Sequence, residues 1–411
     1  MKKIYIISAF LLGILNSLYS QTRYKLDFSQ KEPLVRDLKT IVTNPHWSRK
    51  ASWLGADITE EDCSSVLLYN LDKQCYTKFN VGMSKRTQIS QPFLPTDSQG
   101  AQTIAINFSS GLDNAFYILS SLNNKYDLFL AYGIRVEKGV IKIGGCNNKT
   151  TGSVFMDKNI TYLTTSINPD SQEVGLFILK NEVYLWDVNL ALTSPYIIRF
   201  DNEFIKYELD LYCMKKTDPI QMKIAYIGSN NQYPKVYITA PVNKNNTIAQ
   251  STILTDTVSK AVERLPMWSP DGRYVAYLSS LGHEKEISFE SFEESELEYG
   301  LWIYDSQTGQ NEELFFPVYT NTRRSTQSVY GWMPDSETIF FINCDLNNKL
   351  PLYAVNIKTK TIWNLGSPYI NHNEIKLSPD SKYLAIIARG IHGADEYSFT
   401  KIYLAKVMKT D

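Results

Sequence analysis

The chain has four histidines, His46, His283, His372 and His392, and they are scattered. Imidazole is a common metal ligand and the usual general base near neutral pH. A metal site would need loops that gather several of them with a carboxylate, and no acid or Arg can be tied to them by spacing. No metal is therefore predicted. Arginine offers a second chemistry. Arg264, Arg323, Arg324 and Arg389 carry planar guanidinium groups, which suit the carboxylate of a peptide terminus or an acidic sugar. With His372 they form the candidate ligand-binding set; the plain alternative is a set of solvated surface side chains. The sequence holds no G-x-S-x-G, H-E-x-x-H, Walker loop or G-x-G-x-x-G, so it predicts no catalytic residue and no cofactor.

The elements that must position these residues come from a repeat. Residues 265–280 (LPMWSPDGRYVAYLSS) read as a strand, a turn and a second strand. Ser269, Pro270, Asp271 and Gly272 fit the four positions of a type I turn: a polar acceptor, a Pro that presets φ, an Asp, and a final Gly. The unit returns at Met333-Pro334-Asp335-Ser336 and Ser378-Pro379-Asp380-Ser381. Upstream it stands at Asn168-Pro169-Asp170, and weaker copies at Asn44-Pro45, Ser109-Ser110-Gly111 and Asp218-Pro219. The repeated Asp reads as a turn residue whose carboxylate caps amides, not as a catalytic acid.

A second half follows each turn: an aromatic-rich strand, a polar turn and a short fourth strand. LWIYD at 301–305 before Ser306-Gln307-Thr308-Gly309 is the clearest, and LYAVN at 352–356 repeats it. Four antiparallel strands at a period of roughly 40–60 residues predict an all-β chain folded as a single β-propeller. One such blade cannot bury both faces alone, and stacking around a ring does so. Turns at 45, 110, 169, 219, 270, 334 and 379 give seven blades, with six as the alternative. The last unit lacks a fourth strand, and 24–28 (YKLDF) is predicted to supply it, closing the circle at what would otherwise be an open edge. In this architecture Arg264, Arg323, Arg324, His372 and Arg389 fall on the face bearing the loops from strand four to strand one and from strand two to strand three.

The W-S-P-D-G turn, the strand after it and the later L-W-I-Y-D with T-G resemble the TolB-type, WD-like propeller repeat. The match is close over 265–314, good over 331–365 and 376–407, and partial over 108–131 and 167–188. The resemblance implies a propeller of the kind found in TolB and in prolyl oligopeptidase relatives. TolB carries an extra amino-terminal domain for which this chain has no room, so TolB itself is not implied. Nor is there space for a peptidase domain, which would need roughly 200 further residues. Some propellers of this type resemble pectin-fragment lyases that use a His cluster and a divalent metal, which keeps a channel-mouth lyase or hydrolase as the alternative function.

Bulk properties narrow the rest. The 411 residues carry 42 Lys and Arg against 43 Asp and Glu, which leaves no electrostatic footprint for nucleic acid. Residues 1–20 read as a secretory signal: Lys2 and Lys3, an apolar run over 4–15, and Leu18-Tyr19-Ser20 before the cut. That run is short of the roughly 20 residues of a spanning helix, so no membrane span is predicted. The mature domain would be 21–411, periplasmic or extracellular. The five cysteines have neither zinc nor disulfide-scaffold spacing, and a 66–71/75–79 hairpin would set Cys75 against residue 70 or 71 rather than Cys63. An acidic insertion at 281–300 interrupts the repeat and reads as a solvated loop or short amphipathic helix over the rim, or as a partner-binding flap. The resulting expectation is a monomeric, non-catalytic binding or scaffold propeller for an envelope protein, peptide or glycan.

Overall fold

The computed structural model describes residues 23–36, 40–48, 50–59, 64–81, 102–108, 115–122, 125–148, 154–155, 160–167, 173–179, 182–187, 196–202, 205–214, 221–229, 233–243, 245–255, 259–283, 298–318, 328–343, 351–366, 369–391 and 399–410. For most strands between 102 and 197, for 369–373 and at some strand ends, it describes the backbone alone. The described residues form strands and turns, with no helix. None could therefore be a helix long and apolar enough to cross a membrane.

Five sheets are four-stranded antiparallel blades in a propeller arrangement. Sheet A comprises Ile41–Trp47, Trp53–Thr59, Ser64–Asn70 and Cys75–Val81. Sheet D comprises Ile205–Cys213, Met222–Ser229, Lys235–Thr239 and Ser251–Ile253. Sheet E runs through Glu263–Trp268, Tyr274–Ser279, Tyr299–Asp305 and Gln310–Val318. Sheet F runs through Tyr330–Trp332, Thr338–Ile342, Leu352–Asn356 and Ile362–Gly366. Sheet G contains Tyr369–Leu377, Tyr383–Ile391 and Lys401–Thr410, and its fourth strand is Arg23–Asp27 from the other end of the chain. The predicted pairing of the termini is present, with Arg23 opposite Thr410 and Asp27 opposite Lys406.

The expected count of seven, or six, four-stranded blades is corrected to five of that form. Two further sheets are five-stranded. Sheet B (Gln102–Phe108, Ala115–Leu122, Lys125–Tyr132, Gly145–Asn148) adds Val154–Phe155, which pairs with the far end of Lys125–Tyr132. Sheet C (Ile160–Ile167, Glu173–Leu179, Glu182–Asp187, Tyr196–Phe200) adds Ile248–Ala249 in parallel at its edge, a segment borrowed from within sheet D. These additions satisfy edge amides with two-residue segments that carry no periodic signal. First strands meet between sheets B and C, C and D, D and E, F and G, and A and G.

The repeated turn explains the W-S-P-D-G signature. Gly272 N donates to Ser269 O (2.8 Å), and Tyr274 N donates to Ser269 Oγ (2.9 Å). The same turn bond links Ser336 N to Met333 O and Ser381 N to Ser378 O. In the first unit the turn is Ser48–Ala51, not the expected Asn44-Pro45, which lies inside a strand. The fourth turn position is left-handed throughout: φ is 70° at Gly272, 57° at Ser336, 59° at Ser381 and 58° at Ala51. The predicted turns at 109–111, 168–170 and 218–219 lie outside the described residues, as do Cys63 and residues 284–297 of the insertion. Cys75 faces Asn70, as the hairpin reading required.

Tryptophans preceding the turns tie sheets together. Trp332 Nε1 donates to Met267 O (3.2 Å), and Trp47 Nε1 donates to Lys376 O (3.0 Å). Both carbonyls lie two residues before a turn of the adjacent sheet. One apolar core then spans sheets E, F and G, with Ala276, Leu301, Phe340, Phe341 and Ile386 buried. A second lies between sheets A and G, and a third between D and E.

At Gly272 an added Cβ would lie 2.1 Å from the Tyr212 ring, whose Oη bonds Asp271 O (2.9 Å). Gly272→Ala therefore combines a left-handed alanine with displacement of Tyr212. It is expected to destabilise the fold by about 2–3 kcal/mol, as read by urea denaturation.

Candidate functional site at the inner strands

The first strands of sheets A, D and E share one irregularity. An extra residue is inserted between Thr43 and His46, between Tyr207 and Asp210, and between Arg264 and Met267. At each bulge one residue is left-handed: Asn44 (φ 52°), Glu208 (49°) and Leu265 (52°). A bulge takes an amide out of the ladder, and a buried amide must find another acceptor. Carboxylates of neighbouring sheets supply it. Leu265 N donates to Glu208 Oε2 (2.7 Å), Asn44 N to Glu374 Oε2 (2.7 Å), and Trp268 N to Asp210 Oδ2 (2.6 Å). Arg264 in turn holds Glu208, with Nε at 2.8 Å and Nη2 closer still to the same oxygen. Their side chains are only 8% and 2% exposed.

One further position is shared. Two residues before each turn stand His46, Met267, Gly331 and Lys376. His46, Met267 and Lys376 pair with a small residue on the second strand, Gly55, Ala276 and Ala385. Asp210 pairs with Ala225 and follows Glu208 as Met267 follows Leu265, so it belongs to the same layer. The small partners make room: a Cβ on Gly55 would lie 2.2 Å from His46 Nε2. Gly331 reverses the arrangement, leaving space for Phe340.

These residues act on one another across sheets. Lys376 is influenced by Asp210 and Glu374, His46 by Asp57 and Lys376, and Tyr330 by Asp210 and Glu208. Burial pushes the Asp210 carboxyl up to about 6, against the opposing pull of the Trp268 amide and Lys376. Burial lowers Lys376, partly offset by Asp210 and Glu374. In the His46–Asp57 pair, burial lowers the imidazole and raises the carboxyl, which favours the neutral forms. Tyr330 is held far above the usual phenol range by burial, and its Oη donates to Ala276 O (3.0 Å). Lys376 differs from the rest. The residue as a whole is exposed, while its ammonium end is desolvated beside Asp210 and Glu374, with no ion pair to either.

The residues expected from sequence are placed as follows. Arg264 is not at the surface; its guanidinium is spent on Glu208. Arg389 is exposed on the second strand of sheet G, beside Ala388, the partner of His372. For His372 the strand position is described, whereas Arg323, Arg324 and His392 lie outside the described residues. His283 pairs with Glu313 (2.9 Å) and stacks on Phe316 at 3.6 Å between ring centroids. His46 and His283 thus belong to different sheets, each beside its own carboxylate. Among the described residues no three His, Cys, Asp or Glu are grouped to hold a metal ion. Sequence reasoning missed Asp210, Glu374 and Lys376. A signal existed for Lys376: it is a charge at the repeat position where another unit has Met267.

No protein-family model matches the chain, and no curated protein does. Solved propellers do. An oligogalacturonate lyase in complex with manganese superposes with a TM-score of 0.50 at 14% identity, covering 94% of this chain and 91% of that one. A puromycin hydrolase S511A mutant complexed with PGG gives 0.55 at 8% identity, covering 93% of this chain and 56% of the hydrolase. This chain therefore spans little more than half the hydrolase's length. TolB from Acinetobacter baumannii is also similar, at a TM-score of 0.39 and 15% identity over 86% of this chain and 78% of TolB. At such identities the likeness to the lyase and the hydrolase shows the fold alone; the TolB score is too low to add to it.

Two measurements probe the site's energetics. Arg264→Met leaves Glu208 charged and buried, and is expected to cost about 3–5 kcal/mol in urea denaturation. Adding Glu208→Gln, which keeps an acceptor for Leu265 N, should recover most of that. Asp210 binds its proton more tightly folded than unfolded, its pKa rising from 3.8 to about 6. Its contribution is complete below the unfolded value and is lost as pH rises through 6, by an amount on the order of 1–3 kcal/mol. Asp210→Asn keeps the acceptor for Trp268 N and should flatten the stability–pH curve over that window.

Proposed function

We propose that the chain is an exported, monomeric propeller that works by recognition, binding an envelope protein, peptide or glycan through its loop face and channel mouth. The observation that carries this reading is the commitment of the inner acids. Glu208, Asp210 and Glu374 each hold a backbone amide of a neighbouring sheet, and Arg264 holds Glu208. They serve the frame, and a rigid ring with variable rims is a natural platform for binding loops. In this reading sheets B and C sit between A and D, and Arg23–Asp27 closes the ring through its pairing with Lys401–Thr410. Residues 1–20 direct export and are removed. Arg323, Arg324, His372 and Arg389 supply rim contacts, and the acidic insertion at 281–300 is the handle for a protein partner.

The test is affinity capture from envelope extract with residues 21–411, beside the same chain lacking 281–300. A stoichiometric partner is expected with the first form and not with the second, at equal thermal stability. Capture that survives the deletion removes the handle from the reading. Turnover of a polysaccharide or peptide by the purified chain would replace recognition with catalysis.

A further inference from the structure

We propose that the ribbon made by Arg23–Asp27 and residues 406–410 is a docking surface for the phosphate headgroups of an anionic membrane. This rests on the export reading above and adds a lipid contact to a chain that recognises its partner through loops.

The register of sheet G makes the ribbon. Lys401–Thr410 pairs with Tyr383–Ile391 only as far as Lys406, and Val407 N donates to Lys382 O (2.8 Å). Met408, Lys409 and Thr410 go on to pair with Lys25, Tyr24 and Arg23 alone. Residues directly opposite on antiparallel strands share a face, so the ribbon has two distinct sides. One side is seated. Tyr24 and Leu26 enter the core shared with sheet F, and Trp363 Nε1 donates to Tyr24 O (3.0 Å). The other side carries Arg23, Lys25, Lys406 and Met408, all exposed, Met408 by 44%. None of the three cations forms an ion pair among the described residues. Asp27, the carboxylate on this side, is taken by Ser29 N (2.8 Å) and Ser29 Oγ (3.1 Å).

Lysine on an edge strand ordinarily guards against unwanted strand pairing. That role does not account for the concentration here. The other four-stranded sheets end in Cys75–Val81, Ser251–Ile253, Gln310–Val318 and Ile362–Gly366. Two of these strands carry no charge, one has Lys78 and one has Glu312 and Glu313. Sheet G alone among the five gathers several cations around an exposed apolar side chain. That pattern suits a lipid surface, where cations meet phosphates and the Met408 side chain reaches the interface.

The occupant is indicated by what precedes the ribbon. The apolar run of the leader ends at residue 15, and residues 16–22 can span at most roughly 25 Å. While the leader is held in a membrane, this rim lies next to it. Lys406 and Met408 come from the other end of the chain, so the surface is complete only once the two ends have paired.

The experiment is co-sedimentation of residues 21–411 with vesicles of phosphatidylglycerol and phosphatidylcholine in equal parts, beside pure phosphatidylcholine. The expected result is binding to the anionic vesicles at low salt, release at high salt, and none to the neutral vesicles. Lys25→Gln with Lys406→Gln should weaken binding by roughly ten- to thirtyfold, and Lys25→Glu with Lys406→Glu by on the order of a hundredfold or more. Lys73→Glu with Lys260→Glu makes the same change of net charge at exposed positions elsewhere, and should bind like the wild-type chain. No binding to anionic vesicles, equal binding to neutral ones, or an equal loss in the Lys73 and Lys260 pair overturns the proposal. Unchanged binding by either ribbon pair does so too; if charge reversal prevents folding, the glutamine pair decides. Intact mass of the chain from envelope extract tests leader removal separately, and envelope capture tests the loop face, so failure of either reading is told apart from failure of this surface.

Discussion

The inner wall of this propeller depends on a single requirement: an amide displaced by a bulge cannot be left without an acceptor. Three first strands carry a left-handed residue at the same place, and the amides of Asn44 and Leu265 thrown out of register lie partly buried between sheets. Side-chain carboxylates of neighbouring sheets meet that need for Asn44 and Leu265, and a third serves Trp268. Each bond crosses a boundary between blades, so the solution to a local backbone problem is also what aligns one sheet with another. A bulge tightens strand twist, which suits a strand that must curve close to the axis.

Charge follows from this economy. Carboxylates placed for hydrogen bonding, not for pairing, leave the electrostatics of the interior unbalanced, and the counter-charges are distributed unevenly. Glu208 has Arg264 in close contact, and Glu263 has Lys235 nearby with Val236 N at 2.6 Å. Lys376 has Asp210 and Glu374 near enough to act on it, without an ion pair to either.

Much of the architecture could be read from the chain because the turn chemistry is local. Ser269-Pro270-Asp271-Gly272 dictates its own conformation, and its strands announce themselves by aromatic and β-branched content. Asn44-Pro45 misled for an equally local reason: Asn tolerates the left-handed region, and here it does so inside a bulged strand rather than a turn. The extra strands of sheets B and C were invisible because two residues, such as Ile248 and Ala249, cannot display a period. The interior charges were harder still. Nothing near Arg264 reveals that its partner lies 56 residues upstream, so a buried structural cation read as a surface ligand.

The pairing of Arg23–Asp27 with Lys401–Thr410 has a mechanical meaning. The strands are antiparallel, and Arg23 lies directly opposite Thr410, whose Oγ1 donates to Arg23 O (2.8 Å). Both chain ends therefore leave the sheet at the same corner. A force applied between them loads the Arg23–Thr410 pair first and opens the ladder one rung at a time, like a zipper, instead of shearing all its bonds at once. A load entering through one terminus and leaving through the far loops would instead be carried along the strands. The molecule is weak to being pulled open by its two ends, and far stiffer when used as a link between things held at its rim.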